Sequence, residues 1–367
     1  MSFLACTPTV FVIGEEYEIL CNLKEYGLFS LLIGEERYYE ENAGTLPSER
    51  TVVRIRVPQA VLDTAGGYTA IYRKTVERRS YFPLFEDEVS EHFDFSPVPT
   101  EGAVNIYYIA DVHYRFDLAL GTVAYFGNDL HLLIANGDLG EVETEENYLE
   151  VCDFLGLATG GRVPVLMVRG NHDTRGRLAE RFADYFPAVG KSTYYTFTLP
   201  ALCGVVLDCG EDKPDSYRHY APPYNGELVY NGVAHYEAFR RREAAFLRTV
   251  SLPADRPRIA ISHICPSIAT SNPGDIFDIE HEVYTEWNRE LGRIGIDVML
   301  SGHLHRTFVL KKHDPQAILD NPYPVIVGAR PDRTNITGTA IVLERTGLTY
   351  RFTDTEHTVI EEGRIEF

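Results

Sequence analysis

No run of apolar residues in this sequence approaches the roughly 18 to 20 needed to cross a bilayer, which excludes a membrane-spanning helix. The best stretch, around Leu130 to Ala135, ends at Asn136 and Gly137. No CxxC pair occurs either. Cys6, Cys21, Cys152, Cys203, Cys209 and Cys265 are dispersed along the chain, which fits buried reduced thiols better than a disulfide or zinc framework. Basic charge is scarce: 34 Lys and Arg stand against 54 Asp and Glu, a net −20. A surface that negative repels phosphate backbones, so nucleic-acid tracking is not expected. An anionic substrate then requires a site with its own concentrated positive charge, from metal ions or clustered arginines. Internal repeats and low-complexity tracts are missing too, and Met1 to Leu4 form no basic leader. No secretory signal is expected, and a cytoplasmic location is.

What is present is ordinary globular material, 44% hydrophobic and 24% charged, which rules out collagen-like and wholly disordered classes. The 367 residues allow two folded units at about 150 residues each. Up to Arg79, short alternating segments such as Thr51 to Val57 and Tyr68 to Arg73 are separated by Gly, Pro and Asn turns, the pattern of a half-buried antiparallel sheet. Leu62 to Tyr68 resembles the tyrosine-corner approach of immunoglobulin-like and fibronectin-like sandwiches. Ser96 to Thr100, with two prolines, reads as a linker. Residues 1–97 are therefore expected to form a smaller all-β immunoglobulin/fibronectin-like accessory domain, and 98–367 an α/β catalytic domain.

In that second part nine apolar runs predict strands: 104–110, 131–135, 163–168, 204–207, 259–262, 298–300, 325–327, 340–343 and 350–352. Apolar residues at i, i+3, i+4 spacing predict helices over 145–157 and 234–250. Five of the strands end in residues that bind metals, immediately after the last apolar position, where α/β folds present their functional groups. Asp111-Val112-His113 places a carboxylate and an imidazole at i, i+2 on one side of the chain. Asn136-Gly137-Asp138 makes a glycine-permitted turn that exposes a second carboxylate. Asn171-His172-Asp173, His263, and His303-Leu304-His305 complete the set. Five of the twelve histidines fall in these motifs, although any one of them alone would read as an ordinary strand-end residue.

The ordered series Asp111-x-His113, Gly137-Asp138-x-x-Glu141, Gly170-Asn171-His172-Asp173, His263 and Gly302-His303-x-His305 resembles the calcineurin-like metallophosphoesterase superfamily, over about 200 of the 367 residues. The resemblance implies a four-layer α/β/β/α sandwich holding two divalent transition-metal ions. It implies that Asp111, His113 and His305 hold one ion, that Asn171, His263 and His303 hold the other, and that Asp138 bridges them. Two such ions activate water and stabilise the attacking and leaving oxygens of an in-line displacement. The mixed imidazole, carboxylate and amide set suits Mn, Fe, Zn, Co or Ni. His172 is implied as a transition-state stabiliser or proton donor, with Asp173 or Glu141 holding its other nitrogen.

The segment after Gly137-Asp138 lacks the Asp-Arg-Gly of protein serine/threonine phosphatases, and Glu141 stands where purple acid phosphatases carry their iron-binding tyrosine. Protein-phosphatase activity is disfavoured and a coloured Fe(III)-tyrosinate centre is not expected, although an all-β unit ahead of the catalytic one is reminiscent of the purple acid phosphatase layout. The aromatic segment 211–235 suggests either a cap over the metals or packing against the N-terminal part. As a cap, Arg218, His219, Tyr220 and Tyr224 are candidate substrate contacts. Arg240 to Arg242 read as an exposed helix face, and Glu280-His281-Glu282 as a solvated or lid position. The expected function is hydrolysis of a phosphate monoester or diester by metal-activated hydroxide, on a small nucleotide or phosphorylated metabolite. The alternative is a catalytically silent scaffold of the same fold that binds protein partners.

Overall fold

The computed structural model describes residues 2–46, 49–230, 232–268 and 281–367. Its alternating N-terminal segments form β1 (Thr9–Ile13), β2 (Glu16–Asn22), β3 (Gly27–Ile33), β4 (Glu36–Tyr38), β5 (Val52–Pro58), a short helix α1 (Gln59–Ala65), β6 (Gly67–Glu77), β7 (Leu84–Phe85) and β8 (Val89–Asp94). Next come β9 (Val104–Ile109), α2 (Phe116–Val123), β10 (Leu132–Asn136), α3 (Glu145–Thr159), β11 (Pro164–Val168), α4 (Phe182–Tyr185), β12 (Tyr195–Thr198) and β13 (Cys203–Leu207). A hairpin of β14 (Arg218–His219) and β15 (Glu227–Leu228) precedes α5 (Tyr236–Thr249), β16 (Arg258–Ser262), α6 (His281–Ile294) and β17 (Val298–Ser301). The chain ends with β18 (Arg306–Leu310), β19 (Val325–Pro331), β20 (Ile336–Glu344), β21 (Gly347–Thr353) and β22 (Val359–Glu366). All nine apolar runs form strands, and both periodic segments form helices. Helix α3 starts where expected because the Thr144 N–H donates to the Asn147 side chain at 3.1 Å, a capping box. It stops at Gly160, whose φ of 62° is left-handed.

Fifteen strands join in one hydrogen-bonded path. One half runs β22-β21-β20-β9-β10-β11-β1-β2-β5, the other β12-β13-β16-β17-β19 with β18 on β19, and the two meet where Arg330 and Pro331 pair with Thr337 and Ile336. Alternation sorts the side chains. Ile106, Tyr108, Ile134 and Leu166 from the first half share a core with Val206, Ile261, Leu300 and Ile326 from the second. The intervening Tyr107, Ile109, Leu133 and Val165 face α2 and α3. Val205, Ala260, Met299 and Val325 face α5 and α6, where Trp287 and Leu291 are fully buried. Helices, sheet, sheet and helices therefore stack around three apolar layers, each such side chain contributing about 1.5–3 kcal/mol. All six cysteines are buried and free.

The expected division at 97/98 does not coincide with a break in hydrogen bonding. Strand β1 pairs in parallel with β11, Val10 opposite Pro164, and antiparallel with β2, which pairs with β5. Strands β3, β4, β6, β7 and β8 form a separate sheet, yet Leu31, Ala70 and Tyr72 pack into the same core as Ile106 and Leu300. The 96–100 segment is pinned as well: the Ser96 N–H donates to the Arg162 carbonyl at 2.9 Å, and Val98 is buried. The tyrosine-corner reading is corrected, since Leu62 sits in α1 and the Tyr68 hydroxyl donates across the chain to the Gly161 carbonyl at 2.9 Å. Arg240 is corrected too. It is fully buried, and its Nη1 donates to the Cys209 carbonyl at 2.9 Å and the Glu211 carbonyl at 3.1 Å.

Candidate metal centre

Strands β9, β10 and β11 run parallel, as do β13, β16, β17 and β19, so the five motifs all follow carboxyl ends of parallel strands. Backbone hydrogen bonds stitch their loops together. The Asp111 N–H donates to the Gly137 carbonyl at 3.1 Å, the His113 N–H to the Asp138 carbonyl at 3.0 Å and the Gly302 N–H to the His263 carbonyl at 2.9 Å. Asp111, His113, Asp138, His303 and His305 all have left-handed backbone, with φ of 54°, 47°, 54°, 68° and 51°. Such strain costs about 1–3 kcal/mol per residue and collects at functional sites. Close approach at the centre leaves room only for glycine: a Cβ on Gly170 would meet Asp138 Oδ1 at 2.2 Å, and one on Gly137 would meet the Gly170 nitrogen at 2.5 Å.

The seven expected ligands converge. Asp111, His113 and His305 form one group whose ligand atoms lie within 4.8 Å of one another, and Asp138, His263 and His303 form a second. A third combination, His113, Asp138 and His172, meets the same limit and connects the two. Each aspartate spends one oxygen on backbone and turns the other inward. Asp111 Oδ2 accepts from the His303 N–H at 3.0 Å, leaving buried Oδ1 without a hydrogen-bond partner. Asp138 Oδ1 accepts from the His172 N–H at 2.8 Å, and Oδ2 faces His263 Nε2 at 3.2 Å. His263 Nδ1 lies 2.6 Å from the Asn136 carbonyl, which fixes its proton there and leaves Nε2 as the inward lone pair.

These atoms fit divalent ions. Ligand atoms about 2.0–2.2 Å from a shared ion lie roughly 2.8–3.6 Å apart at tetrahedral or octahedral angles. His113 Nε2 and His305 Nε2 are 3.2 Å apart, and Asp111 Oδ1 is 3.4 Å from His305 Nε2. Asn171 Oδ1 lies 3.0 Å from His303 Nδ1 and 3.3 Å from both His263 Nε2 and Asp138 Oδ2. Turned over, the amide would make ordinary hydrogen bonds; as it stands it offers an acceptor to acceptors, the way ligands surround a cation. Charge agrees. Burial alone would lower His263, but Asp138 and Asp111 raise it to about 10 in the absence of an ion, so the two carboxylates draw positive charge to Nε2, where an ion would take the proton's place. Burial would raise Asp138, but His263 and His172 hold it well below the usual carboxylate range. Burial and neighbouring His263 push His303 down to about 4, so it is a neutral imidazole with a lone pair to give.

His172 stands beside the cluster, its ring edge-on to His113 with centroids 4.8 Å apart. Of its two expected holders, Glu141 is the one in place, with Oε1 2.8 Å from His172 Nδ1. Asp173 is not. It is buried, and its Oδ2 accepts from the Asp138 N–H at 2.9 Å and the Gly170 N–H at 2.8 Å, because a carboxylate one residue past His172 turns back under the loop. Sequence reasoning missed Arg175. Its Nη1 lies 3.0 Å and 3.3 Å from the two His172 ring nitrogens, while Nε and Nη2 grip buried Glu211 at 2.8 and 2.7 Å. Only its position four residues after Asn171 marked it.

The 211–235 segment touches the site at its root, through Glu211 and Asp212. Arg218, His219, Tyr220 and Tyr224 make their contacts within the hairpin: Arg218 donates to the Gly226 carbonyl at 3.0 Å, Tyr217 meets His219 Nδ1 at 3.0 Å, and His219 packs edge-on against Tyr224. Tyr220 is 75% exposed. The expected Glu280 lies outside the described residues, and His281 and Glu282 open α6.

Comparison with known proteins agrees with this geometry. The family model described as calcineurin-like phosphoesterase matches residues 104–307. A probable cyclic nucleotide phosphodiesterase of Rhodopseudomonas palustris is 26% identical over 202 residues, 52% of this chain and 63% of that protein. Among solved structures, a purple acid phosphatase from yellow lupin seeds (Lupinus luteus) superposes with TM-score 0.58 at 11% identity, covering 98% of this chain and 74% of that one. PhoD superposes with TM-score 0.55 at 10% identity, covering 98% and 88%. At those identities the likeness is one of fold.

Proposed function

This chain belongs to the calcineurin-like phosphoesterase family, and from that premise we propose that it is a dinuclear metal-dependent phosphoesterase acting on a small phosphate monoester or diester. The observation that carries the reading is the pair of abutting ligand groups, Asp111/His113/His305 and Asp138/His263/His303, with inward-facing oxygens of Asp111, Asp138 and Asn171 between them. In this reading Asn171 joins the second group and Asp138 serves both. Two divalent ions bound there would supply Lewis-acid charge and a water of lowered pKa. The named relative favours including cyclic nucleotides among the diesters, and a cytoplasmic location is part of the proposal. Residues 1–97 are read as an accessory all-β part joined to the catalytic part 98–367.

The chain's own residues would do the rest. Asp111 and Asp138, fixed by backbone N–H groups, hold the cluster's negative charge in place. Glu141 orients the His172 ring through Nδ1, so that Nε2 can give its proton to the leaving oxygen as the phosphorus–oxygen bond breaks. Tight packing of Gly137, Gly170 and Gly302 keeps the geometry fixed. A silent scaffold predicts missing ligands, and all seven, with His172, are present. The test is a panel of a monoester, a diester including a cyclic nucleotide, and a pyrophosphate, given to metal-loaded wild type and Asp138→Ala. Hydrolysis abolished by Asp138→Ala is expected, and no hydrolysis of any substrate would overturn the reading.

A further inference from the structure

Among the described residues, Arg175 stands as a strong cation against the ligand cluster that the reading above leaves without a task. Its guanidinium has five N–H groups in a fixed fork. Nε and Nη2 are occupied by Glu211, and Nη2 also reaches Asp212 Oδ1 at 3.2 Å. Glu211 is itself buried and further held by the Tyr230 hydroxyl at 3.0 Å. The side chain is therefore anchored from behind, and its Nη1 edge is turned to His172. With Asn171 Oδ1 directed at the ligand cluster, its Nδ2 lies 3.1 Å from Arg175 Nη2. Arg175 Nη1, Asn171 Nδ2 and the His172 ring thus gather on one side of the cluster, and an acceptor with several lone pairs would satisfy them together.

Resting on the phosphoesterase reading, we propose that Arg175 is a catalytic residue that binds a non-bridging oxygen of the substrate phosphoryl group, with Glu211 as the residue that positions it. A tetrahedral oxyanion suits the arrangement, because a guanidinium pairs with phosphate by charge-assisted hydrogen bonds and gains strength as charge develops in the transition state. The anchoring matters as much as the charge. Glu211 removes the rotamer freedom that a long side chain would otherwise lose on binding.

The experiment measures inorganic phosphate binding by calorimetry, metal content, and kcat/KM on the best substrate of the panel, for wild type, Arg175→Gln, Arg175→Lys and Glu211→Gln, all metal-loaded. Arg175→Gln is expected to keep the wild-type metal content, to bind phosphate at least about tenfold more weakly, and to lose about 10²- to 10³-fold in rate, as for the loss of one oxyanion donor. Arg175→Lys, a point charge without the fork, should recover part of both, and Glu211→Gln should fall between. Unchanged phosphate affinity in Arg175→Gln, loss of metal from it, or no phosphate binding by wild type would each overturn the assignment. If wild type hydrolyses nothing while Arg175→Gln still weakens phosphate binding, the phosphoesterase reading fails and the anion site stands.

Discussion

His113 and His305, 192 positions apart in the chain, meet ring nitrogen to ring nitrogen at 3.2 Å. One ring must turn its N–H inward for the pair to be a hydrogen bond; with both lone pairs inward, as ligation requires, a shared cation is what makes the contact favourable. Asn171 Oδ1 stands against His303 Nδ1 at 3.0 Å in the same way.

Stripping metal with a chelator should destabilise the fold. An ion that binds only the native state contributes about 2.7 kcal/mol at a free concentration one hundred times its Kd. Thermal unfolding of chelator-treated protein is expected at lower temperature, with recovery on adding Mn or Zn. Identical unfolding with and without metal would count against a native-state site.

Gly170→Ala should damage the centre more than its size suggests. The added methyl would sit 2.2 Å from Asp138 Oδ1 and 2.4 Å from the Asp138 nitrogen, and backbone cannot step aside cheaply. A loss at or above about 1–3 kcal/mol, with reduced metal content, is the expected outcome of denaturant unfolding and elemental analysis.

His172→Ala and Glu141→Gln should separate chemistry from metal binding. Removing the proton donor is expected to cost about 10²- to 10⁴-fold in kcat. Removing the carboxylate that orients its ring should cost less, about 10- to 100-fold. Both variants should retain metal as wild type does; a variant that lost it would mark His172 or Glu141 as a ligand.

Arg240 and Arg242 should behave oppositely despite standing two residues apart. Arg240→Ala leaves the Cys209 and Glu211 carbonyls without their buried donor, a cost of about 1–3 kcal/mol each. Arg242 is exposed, over the Phe239 ring, and its loss should stay within about 0.5 kcal/mol. Chemical denaturation of the two variants gives the comparison.

What the sequence displayed well was whatever depends on neighbours in the chain. Ile106 to Ala110 and Val298 to Leu300 are apolar without interruption because both faces of each strand are covered, and ligands follow just past their ends. Spacing could not show partners far away. Arg240 looks like one of three surface arginines until the carbonyls of residues 209 and 211 are brought to it. Pairing of β1 with β11 joins residues 10 and 164, and nothing local in Thr9 to Ile13 distinguishes it from the other N-terminal strands. Helix α6 escaped notice because its start looked like a cluster of ligand-type residues, although Val283, Trp287 and Leu291 carry the helical period.

The most direct test of the account is the number of metal ions per chain in purified, metal-loaded protein, measured by elemental analysis for wild type and Asp138→Ala. Two ions in wild type, falling to one or fewer when the shared carboxylate is removed, is the predicted result. A single ion in wild type, or two ions retained by Asp138→Ala, would contradict it.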